Sequence, residues 1–445
     1  MASFIFCQSV WAESPSYINK KDRILILAPH PDDEAIGAAG IIQKAMDLKV
    51  PTKVVYLTNG DNNELAFLVY EKKPILTRSG LMRMGELRRQ EAVQAMNFLG
   101  LKDGQLIFLG YPDLGTSEIF VKYWDDGPPF KSMLTRVRYV PYKDAMSYGA
   151  AYKGESILSD LKRILLDFHP TKIFVTLPAD TNGDHRAYYL FLQVALWDLE
   201  GKISQPDVYP FIVHVVGWPM PRGFHPELPL EIPEKVSNPH LTWIPVELSS
   251  EEIQRKKETI DFYKSQNAYN PEYLYSFARS NELFAEVQEI ALPTVRDNTD
   301  WQEIISSENV ISHMVDEKGV DKNIIKSTAY AVRGDKLLLR MVVNPFKSKL
   351  ASMHLYLMGY KKGVSFSNMP KICIKINFDW IVSVYDKLRP IKIEGMNFSK
   401  VQDVLTIEFP LAALGNPQRI LSSAKTMIAE WPIENTAWRT LVVNP

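Results

Sequence analysis

Short apolar runs alternate with amphipathic segments along the first half of the chain, and few architectures other than a layered α/β fold accommodate this order. The runs are rich in branched residues, as expected of strands buried on both faces, and span residues 23–28, 52–58, 105–109 and 172–177. Apolar residues at helical spacing occupy the segments between them, at 34–48, 83–99 and 157–168. Gly37 and Gly40 are expected to let the first helix lie close to the sheet. The pattern predicts a parallel sheet flanked by helices.

The pattern changes beyond residue 293. Short apolar runs follow one another with turn sequences and without helical segments between them, at 336–343, 354–358, 372–378, 380–384 and 404–409. Closely spaced short strands predict an antiparallel sandwich of about 140 residues. We therefore expect an α/β domain over residues 20–295, closed by helices at 251–266 and 271–284, and a β-sandwich accessory domain over residues 305–445.

The first nineteen residues, 1–19, form a separate and largely apolar segment. The small residue Ala12 suits cleavage by a signal peptidase, although the apolar stretch is short and no basic residue precedes it. The segment is therefore either the remnant of a signal peptide or an N-terminal arm packed on the first domain. We expect an exported protein, periplasmic or extracellular, with a cytoplasmic one as the alternative. No run approaches about 18 apolar residues, so no transmembrane segment is expected.

Charge and cysteine content exclude several classes of function. The chain carries 51 Lys and Arg residues and 52 Asp and Glu residues, a net charge of −1. Without a basic excess, we expect no nucleic-acid partner. Cys7 and Cys373 are too few for a disulfide framework or a four-thiolate zinc site. The sequence leaves the oligomeric state open.

Two polar clusters directly follow predicted strands. Pro29-His30-Pro31-Asp32-Asp33-Glu34 comes after the first strand, and Asp180 to His185 comes after the fourth. Ligands of open parallel sheets bind at the carboxyl ends of the strands. Because these ends meet at one edge, the two clusters are expected to lie together.

The residue types in the clusters suit a divalent metal ion. His30, Asp33 and His185 offer two imidazoles and one carboxylate, which fits a catalytic zinc ion with a fourth position left for water. Zinc lowers the pKa of such a water to about 7, and Asp32 suits a general base that accepts its proton. Fe²⁺ or Co²⁺ also accepts these ligands. Alternatively, Asp32 or Asp33 only caps the next helix, which leaves His30 and His185 unexplained.

The first cluster resembles the (A/P)-H-P-D-D-E motif of the LmbE-like, or PIG-L, deacetylases. His185 takes the place of the last His in that family's H-x-D-H motif, and the resemblance covers roughly residues 22–290. It implies a Rossmann-like fold and a zinc-dependent N-deacetylase acting mostly on molecules that contain N-acetylglucosamine. It also implies that His30, Asp33 and His185 bind zinc and that Asp32 is the base.

The same resemblance suggests substrate contacts. Arg88 and Asp113 correspond to an Arg and an Asp that contact substrate hydroxyls in the family. The alternative for both residues is an ordinary ion pair between an arginine and a carboxylate. Further on, Ser265-Gln266 and the segment 279–284 resemble patterns that close the catalytic domain in many members.

One position departs from the family pattern. Asn182 stands where many members carry the first His of H-x-D-H, which is thought to stabilise the oxyanion or protonate the leaving amine. An amide can donate a hydrogen bond to an oxyanion but cannot deliver a proton. His214, on a strand predicted at 211–216, either takes over that role or is an ordinary strand histidine. Asp184 can orient the proton-carrying group or a neighbouring ligand.

These features together predict hydrolysis of an N-acetyl or similar small acyl amide in an amino sugar or glycan. One alternative is a carbohydrate-binding protein with a degenerate deacetylase domain, which Asn182 favours. Another is an amidase acting on a different N-acyl conjugate. The irregular segment 116–154 either shapes the site or is a surface insertion. Aromatic residues of the C-terminal part either form a sugar-binding platform or belong to its core.

Overall fold

The computed structural model describes residues 17–62, 69–70, 77–124, 127–236, 240–295, 310–312, 324–344, 351–429 and 431–443. The segment predicted as a signal remnant or arm lies almost entirely outside these residues, so export stays a prediction. Among the described helices, none combines the length and the apolar character needed to cross a bilayer.

A seven-stranded sheet forms the first half of the fold. Its strands are β1 (Ile24–Ala28), β2 (Thr52–Thr58), β3 (Leu106–Tyr111), β4 (Lys172–Thr176), β5 (Asp207–Phe211), β6 (Leu241–Glu247) and β7 (Asn281–Val287). They lie in the order β3-β2-β1-β4-β5-β7-β6. The first five are parallel, and β7 runs antiparallel to both β5 and β6. The predicted α/β fold is confirmed.

Helices cover both faces of this sheet. They are α1 (Asp33–Asp47), α2 (Arg78–Leu99), α3 (Thr116–Lys122), α4 (Gly154–Phe168), α5 (Gly183–Asp198), α6 (Ser250–Ile260), α7 (Lys264–Asn267) and α8 (Pro271–Tyr275). Two apolar clusters of buried side chains, one on each face, fill the space between helices and strands. Both faces of the parallel strands are therefore buried, as their uninterrupted apolar sequences require.

Three predicted elements differ in the structure. The helix expected at 251–266 is divided into α6 and α7, and the one expected at 271–284 is wrong because α8 ends at Tyr275. Residues 281–287 instead form β7, which pairs with β6 along its whole length, so sheet pairing overrides the helical spacing. The strand expected at 211–216 is also wrong, since β5 ends at Phe211. The Asp180 carboxylate accepts the backbone N–H groups of Val213 and His214 and so draws this segment away from strand geometry.

The order of the strands fixes where a site can form. Successive connections run from β1 toward β2 and β3 on one side, and from β4 toward β5 on the other. The direction in which the connections progress across the sheet thus reverses between the neighbouring parallel strands β1 and β4, and ligands of such sheets usually bind at this position. Both polar clusters follow these two strands, so their predicted convergence is confirmed.

Helix α1 is kinked, and a carboxylate from β7 accepts hydrogen bonds from the backbone N–H groups that follow the kink. Ala38 has non-helical dihedral angles, φ −144° and ψ 16°. The Glu282 side chain accepts the N–H groups of Gly40 at 2.7 Å and Ile41 at 3.1 Å. A side chain at Gly40 would collide with Leu248, so the close approach predicted from this glycine is confirmed. The kink orients the first turn of α1, which carries Asp33.

Glu282 also forms a buried ion pair, which gives a stability prediction. Its Oε1 lies 2.7 Å from Lys256 Nζ, and both side chains are fully buried. Replacing Glu282 by Ala should lower the free energy of unfolding by about 3–5 kcal/mol, because the lysine charge would be left buried and unpaired. Urea unfolding measures the loss. Lys362→Ala, which breaks an exposed pair with Glu200 at 3.1 Å, is the control and should cost less than about 1 kcal/mol. Equal losses in the two variants would contradict the prediction.

The C-terminal half contains two further sheets. Their strands are β8 (Ile290–Ala291), β9 (Val310–Ser312), β10 (Ile325–Arg333), β11 (Lys336–Val343), β12 (Ser352–Tyr360), β13 (Lys371–Ile376), β14 (Val382–Asp386), β15 (Arg389–Ile391), β16 (Asn397–Val401), β17 (Val404–Pro410), β18 (Arg419–Ile428), β19 (Trp431–Thr436) and β20 (Arg439–Val442). One sheet has the order β10-β11-β17-β16, and the other has the order β15-β14-β13-β12-β18-β19-β9, with β20 paired to β18 and β8 paired to β20. Pairing is antiparallel except between β8 and β20. Buried apolar residues of both sheets form one core. This confirms the all-β class of the C-terminal half, whereas its exact boundaries stay a prediction.

Aromatic side chains join the two halves. Phe120 of α3 lies between Phe366 and Trp438 of the C-terminal half, with ring centroids 5.8 and 6.2 Å away. The backbone N–H of Trp438 donates to the carbonyl of Pro178 at 3.1 Å, in the loop that follows β4. Trp438 is 6% exposed, so it belongs to the interior and not to a sugar-binding platform. The C-terminal half therefore supports the loop that carries the second polar cluster.

Candidate metal and active site

Three ligand atoms form a nearly equilateral triangle at the carboxyl ends of β1 and β4. Asp33 Oδ2 lies 3.2 Å from His30 Nδ1 and 3.2 Å from His185 Nε2, and the two nitrogens are 3.2 Å apart. Tetrahedral coordination with bonds of about 2.0–2.1 Å spaces its ligand atoms about 3.3 Å apart. The three predicted metal ligands thus lie at the spacing that a tetrahedral divalent ion requires.

Each imidazole has a carboxylate at its other ring nitrogen. His185 Nδ1 lies 3.2 Å from Asp180 Oδ2. His30 Nε2 lies 3.1 Å from Asp113 Oδ1 and 3.3 Å from Asp184 Oδ2. Carboxylates in this position hold a metal-binding imidazole in one orientation and increase its basicity. The arrangement suits metal binding through Nδ1 of His30 and Nε2 of His185.

The charges around the triangle are predominantly negative. Burial disfavours a charged His185 ring, but Asp33 and Asp180 outweigh this effect and raise its pKa to about 9. Burial likewise opposes a charged His30, whose pKa is nevertheless raised well above its ordinary value by Asp113 and neighbouring carboxylates. Burial works against ionised Asp33 as well, yet the two rings hold its pKa well below the usual range. Such a site favours positive charge, which protons or a divalent ion can supply.

Asp32 has an unusual backbone conformation at the start of α1. Its φ of 128° is one that residues other than glycine rarely adopt, and its side chain makes no capping hydrogen bond to the helix. The capping alternative is therefore wrong for Asp32. Its Oδ2 instead accepts a hydrogen bond from Arg88 at 3.1 Å. Burial raises the pKa of Asp32 to about 7, although Arg88 favours the ionised form. Backbone strain of this kind is concentrated at functional sites.

Glu34 holds the strained peptide of Asp32. Its Oε2 accepts the backbone N–H of Asp32 at 3.1 Å, and its Oε1 accepts the hydroxyl of Tyr263, which is 229 residues further along the chain. Glu34 is completely buried, and burial raises its pKa to about 8 despite the hydrogen bond from Tyr263. Sequence reasoning missed Tyr263 because nothing near it in the sequence indicates this contact.

Removing the Tyr263 hydroxyl tests whether this contact positions Asp32. In Tyr263→Phe, we expect the kcat of the predicted amide hydrolysis to fall by about 10- to 100-fold at unchanged metal content. Small displacements of a catalytic group have effects of this size. Tyr188→Phe is the matched control, because its buried hydroxyl donates to the carbonyl of Val55 at 3.2 Å. Steady-state kinetics and metal analysis of both variants make the comparison. If both lose the same fraction of kcat, Tyr263 has no positioning role.

The Arg88 side chain lies beside Asp32 and is fixed by hydrogen bonds to the backbone. Its guanidinium donates to the carbonyl of Gly60 at 3.0 Å and to that of Pro31 at 2.8 Å, besides the bond to Asp32. The ion pair considered as the alternative for Arg88 is therefore present, and its carboxylate is that of Asp32, the candidate base. A direct contact between Arg88 and substrate stays a prediction.

Asp113 and Asp184 stabilise the surroundings of His30. Asp113 Oδ2 accepts the N–H of Asn62 at 2.9 Å, while its other oxygen lies at the imidazole. Asp184 accepts the N–H and the hydroxyl of Thr116, at 2.9 and 2.6 Å, and thus ties α3 to α5. The position of Asp184 beside His30 Nε2 fits orientation of a neighbouring ligand, one of the two roles considered for it, and this role stays a prediction. The substrate contact of Asp113 stays a prediction.

Asn182 and His214 lie on the cavity side of the triangle. Asn182 Oδ1 caps α5 by accepting the N–H of Asp184 at 2.9 Å, which leaves its Nδ2 group as the hydrogen-bond donor. The His214 ring is 4.7 Å from that of His185, and its Nδ1 lies 3.1 Å from the Tyr273 hydroxyl. Burial lowers the pKa of His214 to about 4, although Asp180 favours its charged form. The ring is thus neutral at physiological pH.

A cavity of about 400 Å³ opens above these groups. Seven of the nine predicted site residues line it, namely His30, Asp32, Asp33, Arg88, Asp113, Asn182 and His214, while Asp184 and His185 lie fully buried below. Leu114, Met133 and Tyr273 supply apolar and aromatic wall. Met133 belongs to the irregular segment predicted at 116–154, which therefore helps to shape the site. The size of the cavity and its mixed polar and apolar lining suit a small polar molecule with an apolar part.

Comparison with known proteins identifies the region that carries both clusters. Residues 25–196 match the family described as PIG-L: GlcNAc-PI de-N-acetylase. A Bacillus anthracis protein, named probable N-acetyl-alpha-D-glucosaminyl L-malate deacetylase 2, is 37% identical over 90 residues. These residues make up 20% of this chain and 36% of the relative, so the match spans about a third of the relative's length.

Solved structures are similar at lower identity. The N,N'-diacetylchitobiose deacetylase from Pyrococcus horikoshii is 20% identical with a TM-score of 0.31, covering 55% of this chain and 70% of that one. The A40926 pseudoaglycone deacetylase Dbv21 is 14% identical with a TM-score of 0.38, covering 63% and 99%. The PIG-L, or LmbE-like, family model thus matches residues 25–196, the part of the chain that carries both polar clusters.

Proposed function

We propose that the chain is a metal-dependent hydrolase that removes an N-acetyl or other small acyl group from an amino sugar or glycoconjugate. The observation that carries the proposal is the triangle of His30, Asp33 and His185 atoms beside Asp32 at the floor of an open cavity. The description of the matching family and the name of the Bacillus anthracis relative support the N-acyl amino sugar as the substrate class.

The ligand set fits a resident divalent ion. His30 Nδ1, Asp33 Oδ2 and His185 Nε2 would hold it, and the carboxylates at the far nitrogens complete the arrangement that zinc sites usually have. A bound divalent ion supplies Lewis acidity toward water and toward the amide carbonyl. Zinc is the expected ion, and Fe²⁺ or Co²⁺ fits the same nitrogen and oxygen ligands.

Asp32 is the proposed proton carrier. Its pKa of about 7 lets the carboxylate accept a proton from the attacking water and return it to the leaving amine at neutral pH. Arg88 and Glu34 hold the side chain and the backbone of Asp32, respectively. No separate acid is then required, which accounts for the absence of the family's first His at position 182.

Asn182 is the proposed donor to the oxyanion. Its Oδ1 is occupied as a helix cap, which orients the Nδ2 donor at the rim of the cavity. His214 is a weaker candidate for this role, because its neutral ring already uses Nδ1 in the contact with Tyr273. We therefore assign proton delivery to Asp32 and not to His214.

Amine release from N-acetylated sugars tests the proposed function. Metal-loaded protein should release primary amine, detected with fluorescamine, from N-acetylglucosamine, its β-linked dimer or a glycoside of it. Binding of these sugars without amine release would instead support the carbohydrate-binding alternative. Amine release only from other N-acyl conjugates would keep the chemistry and overturn the proposed substrate.

A further inference from the structure

Positively charged side chains project from one row of the larger C-terminal sheet. Lys375 of β13 and Lys425 of β18 both stand directly opposite His354 of β12. Directly opposed residues share one face of a sheet, so the three side chains lie side by side. Lys375 Nζ is 4.6 Å from the ring of Tyr385, and Lys425 Nζ is 5.4 Å from the ring of Tyr356.

The α/β half contributes two more cations beside these lysines. Lys122 ends α3, and Arg186 follows the ligand His185 in the first turn of α5. Lys122 and Arg186 both disfavour the charged form of Lys425, whose pKa is lowered chiefly by burial. The Trp438 ring joins α3 to this face of the sheet, with its centroid 6.2 Å from that of Phe120 in α3 and 5.8 Å from that of Tyr356. Lys122, Lys375, Lys425 and Arg186, here called the basic cluster, therefore lie where the two halves of the fold meet.

Carboxylates do not balance this charge. Glu118 is the carboxylate in contact with the cluster, and it pairs with Lys122. Within the described residues, no carboxylate lies within ion-pair distance of Lys375, Lys425 or Arg186, and the buried Arg186 Nε has no hydrogen-bond partner. Half-buried cations without a carboxylate partner are costly in free energy unless another anion compensates them.

We propose that the basic cluster is a binding site for an oxyanion, a phosphate, sulfate or carboxylate group, separate from the metal site. The amines and the guanidinium offer charge-assisted hydrogen bonds that suit such a group. The Tyr356 and Tyr385 rings beneath the two lysines restrict their ammonium groups to the same side. An oxyanion borne by a long glycan and a free inorganic oxyanion present the same chemistry to this site.

Titration of metal-loaded protein with inorganic phosphate, followed by calorimetry, tests the site. The wild type should bind phosphate saturably, and the Lys375→Met/Lys425→Met double variant should bind it at least about tenfold more weakly. Methionine keeps the apolar stem over each tyrosine ring, and the single Lys375→Met variant serves if the double variant does not fold. Lys400→Met is the matched control, because Lys400 Nζ lies 4.6 Å from the Trp380 ring outside the cluster. No phosphate binding by the wild type, or equal binding by the double variant, overturns the proposal.

Kinetics distinguish the two sources of the anion. If the substrate carries it, a sulfated or phosphorylated N-acetylglucosamine oligomer should have a lower KM than the neutral oligomer, and the double variant should lose that difference. If the anion is free, KM should be the same for both oligomers while phosphate binding still depends on the cluster. The calorimetric result does not require hydrolysis, so it remains valid even if the proposed function fails.

Discussion

A His185→Asn variant should lose both the divalent ion and the hydrolytic activity proposed for this chain. Asparagine removes one corner of the triangle, because its amide is a far weaker ligand than an imidazole nitrogen. The rate should fall by about 10³-fold or more, since a metal ion contributes several kcal/mol to stabilisation of the transition state. Elemental analysis of the purified protein and the amine-release assay measure the two effects.

A graded control separates ligation from general damage to the site. Asp180→Asn keeps all three ligands but removes the carboxylate 3.2 Å from His185 Nδ1, so metal affinity should fall by about 10- to 100-fold only. Excess metal should restore activity to Asp180→Asn and leave His185→Asn inactive. Full metal content in purified His185→Asn would show that the ion binds elsewhere.

Replacing Asp32 by Asn should lower kcat by about 10²- to 10⁴-fold while the metal stays bound. Removal of a general base has an effect of this size, and Asp32 is not among the three ligands. Asparagine is also one of the few residues that tolerate a positive φ, so the strained backbone should persist. The matched control is Asp61→Asn. Asp61 is a buried carboxyl whose pKa burial also raises to about 7, but it bonds to Tyr142 and not to the metal triangle.

The comparison between these two variants decides the role of Asp32. Asp61→Asn should keep kcat within a few-fold of the wild type, because the change leaves the metal triangle and the base in place. A metal-containing Asp32→Asn protein with full activity would exclude Asp32 as the proton acceptor. Equal loss of kcat in both variants would assign the effect to the removal of a buried charge.

Local pattern was sufficient to predict the elements that form the site. The uninterrupted apolar runs of β1 and β4 and the polar residues behind each of them identify a parallel sheet with one ligand edge. The convergence of His30, Asp33 and His185 follows from this topology alone. Contacts over long sequence separations could not be predicted in this way. The bond of Glu282 to the kinked helix α1 and that of Tyr263 to Glu34 depend on packing between distant segments.

The errors in the predicted elements have the same origin. Residues 281–284 have helical spacing, but β6 provides a partner strand and the chain forms β7 instead. The sequence predicts His214 within a strand. It lies in a loop instead, because the Asp180 carboxylate accepts a hydrogen bond from the His214 backbone N–H beyond β5. In both cases a tertiary partner that is remote in sequence outweighs the local preference. Asp180 belongs to the second polar cluster, but its contact with His185 depends on the folded arrangement of the loop and could not be predicted.

The hydrogen bond between Trp438 and Pro178 has a practical consequence for anyone who wishes to shorten the protein. The loop after β4 rests on the C-terminal sheets, and Phe120 and its aromatic neighbours would face water if those sheets were removed. A fragment trimmed to the α/β half would expose an aromatic, aggregation-prone face in the part of the protein that carries the candidate metal site. Protein engineers should therefore treat the two halves as one cooperative unit and redesign that face before any truncation.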